Sequence, residues 1–174
     1  MLISNPMNAA LNEQIGYEFN ASLQYVAIAA HFDAESLPEL ARYYYRQAEE
    51  ERDHAMRIVK YVVDAGGAVE IPQIPQPQSR FHTTEEAVQK ALEGELTVTR
   101  EINTLMDLAI KESDHTTQNF LRWFVTEQLE EISSAQTLLR IVQRAGEQGL
   151  LHVEEYLSRQ RRPADAAEEE EEGD

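Results

Sequence analysis

Four stretches of this chain carry an apolar stripe at helical spacing, and each stripe is broken near its middle by metal-binding side chains. Taken in alternating steps of four and three, the first reads Leu11, Ile15, Glu18, Ser22, Tyr25, Ala29, Phe32. The second reads Leu40, Tyr44, Gln47, Glu51, His54, Ile58, Tyr61. The third reads Val88, Leu92, Glu95, Thr99, Ile102, Met106, Ala109, and the fourth Thr117, Leu121, Phe124, Gln128, Glu131, Ala135, Leu138, Val142. A stripe of this period faces the interior of a helix bundle. An ionised carboxylate there is costly unless a partner compensates it. Acids this numerous, with one imidazole among them, repel one another. The partner that resolves the conflict is a pair of metal ions.

The punctuation between the stripes fits four long helices. Asn5-Pro6 is a cap and first-turn pair, opening a helix that runs to about Phe32. Ser36 with Pro38 opens the second, which stops at Gly66-Gly67. Thr83-Thr84-Glu85-Glu86 is a capping box at the start of the third, and Asp114 separates the third from the fourth, which ends near Gly146. A short amphipathic piece from about Leu150 to Arg161 follows Gly149, and Pro163 ends it. The domain expected is residues 1–162; residues 163–174, with the glutamates Glu168 to Glu172, read as an acidic disordered tail.

One connection is long. The segment from Gly67 to Thr83 contains Pro72, Pro75 and Pro77 and has no helical period. About 17 residues reach roughly 55 Å when extended, and a helix of about 30 residues is roughly 45 Å long. The segment can therefore cross the whole bundle and lay the third helix parallel to the second; the short connections make antiparallel hairpins. With that topology Glu18, Glu51, His54, Glu95, Gln128 and Glu131 fall within roughly 8 Å of helix rise, the depth of one binuclear site.

Composition removes other classes. At 174 residues the chain is long enough to bury a substantial core. It has no cysteine, so disulfides, thiolate zinc sites and iron–sulfur clusters are excluded. A formal net charge of −17 argues against nucleic acid and suits a surface that gathers cations. No run approaches a membrane span and no secretory signal is recognisable, so the cytoplasm is the expected compartment.

The motif Glu51-x-x-His54 sets a carboxylate and an imidazole one turn apart on one face. Alone it is weak. Combined with Glu18, Glu95 and Gln128-x-x-Glu131 on matching seams it follows the scheme already known in ferritin-like di-iron proteins. From Leu11 to about Gln160 the chain resembles the bacterial non-haem ferritins. The resemblance is carried by Leu11-Asn-Glu-Gln-Ile-Gly-Tyr-Glu18, by Ala48-Glu-Glu-Glu-Arg-Asp-His54, and by Phe120-Leu-Arg-Trp-Phe-Val-Thr-Glu-Gln-Leu-Glu-Glu131.

That resemblance implies an all-α fold: a ferritin-like four-helix bundle with one long crossover and a short C-terminal fifth helix. It implies an iron-storage protein with ferroxidase activity, oxidising Fe(II) with dioxygen inside a hollow 24-subunit homo-oligomeric shell. Glu18, Glu51 and His54 match ligands of one iron; Glu51, Glu95 and Glu131 match ligands of the second, with Gln128 close by. Glu50, Glu127 and Glu130 match a third, looser iron site, and Tyr25 the tyrosine beside the centre that supplies an electron. Haem is not expected, because the methionine that ligates it in bacterioferritins falls at Arg52 and a second E-x-x-H is replaced by Gln128-x-x-Glu131. The rivals are a di-iron or di-manganese oxidase that stores no metal, and a plain structural bundle.

Overall fold

The computed structural model describes residues 2–160. The expected acidic tail, residues 163–174, lies outside them. The chain forms α1 (Asn5–Ala34), α2 (Pro38–Asp64), α3 (Thr84–Lys111), α4 (His115–Ala145), a 3₁₀ turn (Glu147–Gly149) and α5 (Leu150–Ser158), with no strand among the described residues. The all-α reading holds, with one long crossover and a short fifth helix. No described helix is long and apolar enough to cross a membrane.

The core is in two parts. At one end Met7, Leu11 and Ile15 from the start of α1 pack with Ile58 and Val62 from the end of α2. The end of α3 (Ile102, Leu105) and the start of α4 (Leu121, Phe124) complete that cluster. At the other end Ile28 and Phe32 meet Leu40, Tyr44, Val88, Leu92, Leu138 and Val142, roofed by Val153 and Leu157 of α5. This membership makes α1 antiparallel to α2, and α2 parallel to α3. All seven α1 seam residues are buried, whereas in α2 Val62 takes the interior place expected of Tyr61. A straight helix of period 3.6 drifts off a seam of 3.5 over its length.

The crossover is fastened along α1 by side-chain amides that imitate a neighbouring strand. Asn12 donates to Ala68 O at 2.8 Å and accepts from Glu70 N at 2.8 Å; Gln24 donates to Gln78 O at 2.8 Å and accepts from Gln78 N at 2.9 Å. Between these anchors Pro72 lies against Gly16, where an added Cβ would stand 2.4 Å from Pro72 Cγ.

The helix starts differ from expectation in detail. The cap of α1 is Ser4, whose hydroxyl accepts from Met7 N at 3.1 Å, and Asn5 is already helical. Thr83 caps α3 as expected, but Glu86 accepts from His82 N at 2.7 Å instead of closing the box on Thr83. No side chain within α2's own approach caps it. Its first N–H groups, those of Glu39 and Leu40, are taken by the Glu154 carboxylate of α5 at 2.8 and 2.9 Å. Glu147, just before α5, likewise accepts from Thr84 N at 2.9 Å. Two carboxylates therefore seat the C-terminal segment on the positive ends of α2 and α3.

Candidate metal centre

A belt of polar groups separates the two apolar clusters. Glu18 comes from α1, Glu51 and His54 from consecutive turns of α2, Glu95 from α3, and Gln128 and Glu131 from α4; all are buried. Glu18 and Glu51 are 0 % exposed, which removes water as the partner for their charge. Glu18, Glu51 and His54 each offer a ligand atom within 4.8 Å of the other two. His54 Nδ1 faces Glu51 Oε2 at 3.3 Å and Glu18 Oε2 at 4.0 Å. Behind the imidazole, the rings of Trp123 and Phe124 stand edge-on at 5.3 and 5.9 Å and fix its plane.

Several ligands are held from outside by neutral groups. Gln14, itself buried, donates to Glu18 Oε1 at 2.8 Å and leaves Oε2 free. The Tyr25 hydroxyl donates to Glu95 Oε1. Thr99 Oγ1 lies 2.8 Å from the Glu95 backbone oxygen and 3.1 Å from the Gln128 amide. Each of these bonds orients an oxygen without neutralising it.

The unmatched atoms converge. Among the described residues, the buried side-chain polar atoms lacking a hydrogen bond are Gln14 Oε1, Glu18 Oε2, both Glu51 oxygens, His54 Nδ1 and Glu95 Oε2. Five of these six atoms belong to the belt and the sixth, on Gln14, adjoins Glu18; so many buried polar atoms left open together call for a further partner such as an ion. The proton affinities agree. Burial, then the Glu51 charge, lifts Glu18 well above the usual carboxylate range. Burial, then Glu95, does the same to Glu51. Burial also raises Glu95, against the opposing hydrogen bond from Tyr25. Glu131 is pushed up to about 8 by burial and by the neighbouring Glu95 and Glu50 charges. Burial and the Glu95 charge keep the Tyr25 phenol protonated.

The structure gathers Glu18, Glu51 and His54 most tightly, with Glu95, Gln128 and Glu131 in the same belt. Glu50 and Glu127 are half-buried and Glu130 is exposed. Glu50 borders two openings, a 320 Å³ pocket shared with Gln47, Glu130 and Glu131 and a 510 Å³ pocket shared with His54 and Glu127. The supporting roles of Gln14 and Thr99 are not evident from the stripes themselves. Gln14 stands four residues before Glu18 and Thr99 four after Glu95, so the available signal is a polar residue one turn from a seam acid.

Carboxylate oxygens with one nitrogen, converging from four helices, define a protein that binds hard divalent metal in a bundle core. The ferritin-like domain of the Ferritin family matches residues 8–145. The chain is 43% identical to Ferritin BfrB of Mycolicibacterium smegmatis over 164 residues, covering 94% of this chain and 90% of that one. It is 34% identical to a bacterial non-heme ferritin of Staphylococcus aureus over 146 residues, 84% and 88% of the two chains. Among solved structures, an open pore ferritin from the archaeon Archaeoglobus fulgidus superposes with a TM-score of 0.87 at 34% identity, covering 90% of this chain and 97% of that one. This chain belongs to the ferritin family.

Proposed function

We propose that this ferritin stores iron by oxidising Fe(II) with dioxygen at the buried belt and passing the ferric product into the cavity of a homo-oligomeric, 24-subunit shell. The observation that carries the reading is the convergence of unmatched carboxylate oxygens on one imidazole. Two Fe(II) ions are the substrate: Glu18, Glu51 and His54 hold one, Glu51, Glu95 and Glu131 the other, with the Gln128 amide beside them. Each iron gives one electron to dioxygen, reducing it by two electrons. Tyr25 gives a further electron, a role that its hydrogen bond to Glu95 supports.

Glu50, Glu127 and Glu130 form a third, weaker iron site. Their position along two openings of the belt supports a role in moving iron away from the centre. The shell draws support from exposed apolar side chains at helical spacing, Leu23 and Val26 on α1 with Tyr45, Met56 and Val63 on α2. A neighbouring subunit covers a face of that kind. The cytoplasm, the compartment where Fe(II) is available, completes the reading; no haem takes part.

Substitution of Glu51→Ala removes the carboxylate common to both irons, and His54→Ala the single nitrogen. Both abolish rapid Fe(II) oxidation in stopped-flow absorbance while particle mass stays unchanged. Rates near wild type move the chemistry elsewhere. Thousands of irons retained per particle after aerobic loading mark storage, about two per chain a non-storing oxidase, and none a plain bundle.

A further inference from the structure

Between α1, the crossover and α3 lies a 540 Å³ cavity that contains no metal ligand. Short residues open it: Ala21 on α1, Ala91 and Gly94 on α3. A mid-helix glycine is less stable than alanine, and nothing within 4 Å of an added Cβ requires one at Gly94. What the missing side chain does is widen the cavity. Gln78 fixes the rim by fastening the crossover to both walls. Its backbone pairs with the Gln24 amide of α1, and its own amide donates to Glu86 of α3 at 3.0 Å.

The polar lining is unspent. Tyr17 and Asn20 of α1, Gln76 of the crossover and Lys90 of α3 all border the cavity. Among the described residues none of their side chains makes a hydrogen bond or an ion pair. Lys90 is the exception in a chain of net charge −17. Acids stand one turn to either side of it, yet both are engaged elsewhere. Glu86 accepts from Gln78 and from His82 N, and Glu93 accepts from Gln89 at 3.3 Å. Glu93 is the single carboxylate on the lining, so the cavity does not suit a metal ion. Its volume is that of a small-molecule site. The rings of Tyr17, Pro75 and Pro77 offer flat faces, the two amides hydrogen-bonding edges, and Lys90 a positive charge.

We propose that this cavity binds a flat aromatic anion. Its ring lies against Tyr17 and the two prolines, its polar edge meets Asn20 and Gln76, and its phosphate or carboxylate is held by Lys90. Tyr25, whose hydroxyl donates to Glu95, lines the same cavity, so the occupant rests on a residue that supports the metal belt. None of the exposed apolar side chains assigned above to a subunit contact lines it, so that contact leaves the site its own walls.

The test is equilibrium dialysis of flavin mononucleotide against the full-length assembled protein, with riboflavin as the same ring lacking the phosphate. Flavin mononucleotide binds saturably at one per chain and more tightly than riboflavin. Lys90→Gln weakens it about three- to tenfold, as expected of a charge-assisted bond partly open to water, and leaves riboflavin unchanged. Gly94→Leu fills the cavity and removes both, while particle mass and melting temperature show that the variant still folds. Absence of saturable uptake overturns the proposal, and so does wild-type binding in folded Gly94→Leu. Riboflavin binding as tightly as the mononucleotide, or a mononucleotide affinity indifferent to Lys90→Gln, overturns the anionic assignment. Iron binding enters none of these readouts, so failure of the metal-centre reading leaves them standing.

Discussion

A carboxylate buried without a cation keeps its proton, and the four acids of the belt are the clearest case in this molecule. Glu18, Glu51, Glu95 and Glu131 are all shifted upward, chiefly by burial. Near neutral pH the metal-free folded chain therefore binds more protons than the unfolded chain. Its stability rises as pH falls through the raised folded values and is complete below the unfolded one. For Glu131 that window runs from about 8 down to the ordinary 4.5. Chelator-treated protein is thus expected to melt higher at about pH 6 than at about pH 8, by an amount on the order of 1–2 kcal/mol. Glu131→Gln flattens the dependence. Equal melting at both pH values removes proton-holding acids from the account. Loading must expel the same protons, so Zn(II) binding acidifies an unbuffered solution more strongly near pH 7 than above pH 8.

At the scale of elements, two glycines set opposite expectations. Gly16 is held without a Cβ by the crossover, since Pro72 would lie 2.4 Å away. Gly16→Ala must push the crossover off α1 and costs about 1–3 kcal/mol. Gly94 is in the middle of α3 with nothing within 4 Å of an added Cβ, so Gly94→Ala stabilises by about 0.5–1 kcal/mol. Thermal midpoints moving in the same direction for both variants contradict this account. The four long helices and the belt were legible because a seam states its period every three or four residues, and an acid on a seam is conspicuous. The fastenings were not. Glu154 caps a helix through the N–H of Glu39, 115 residues earlier, and Asn12 and Gln24 hold a crossover that no local pattern ties to them. Even the cap of α1 slid by one residue, because Ser4 and Asn5 are both competent and only backbone geometry chooses. Within the site the same division holds. Seam position singles out Glu18, Glu51, His54, Glu95 and Glu131, whereas the support from Gln14 and Thr99 depends on distances that spacing does not express.

For the molecule as a whole, charge is the dominant long-range property. A net charge of −17 per chain draws divalent cations to the surface before any ligand is reached. Fe(II) oxidation below saturation should slow about two- to tenfold as sodium chloride rises from low ionic strength to beyond physiological, while the saturated rate holds. A stopped-flow salt series distinguishes the two regimes, and salt-independent uptake would remove surface charge from the account. The seating of α5 has a different bearing on the whole. Glu147 and Glu154 have nothing to bind until the opening turns of α3 and α2 exist, since only a formed helix end presents those free N–H groups. The last helix thus works as a latch that closes on a finished bundle. A chain with α2 or α3 still unravelled at that end holds its C-terminal segment loose, and whatever surface α5 offers to other subunits is displayed by completed subunits alone.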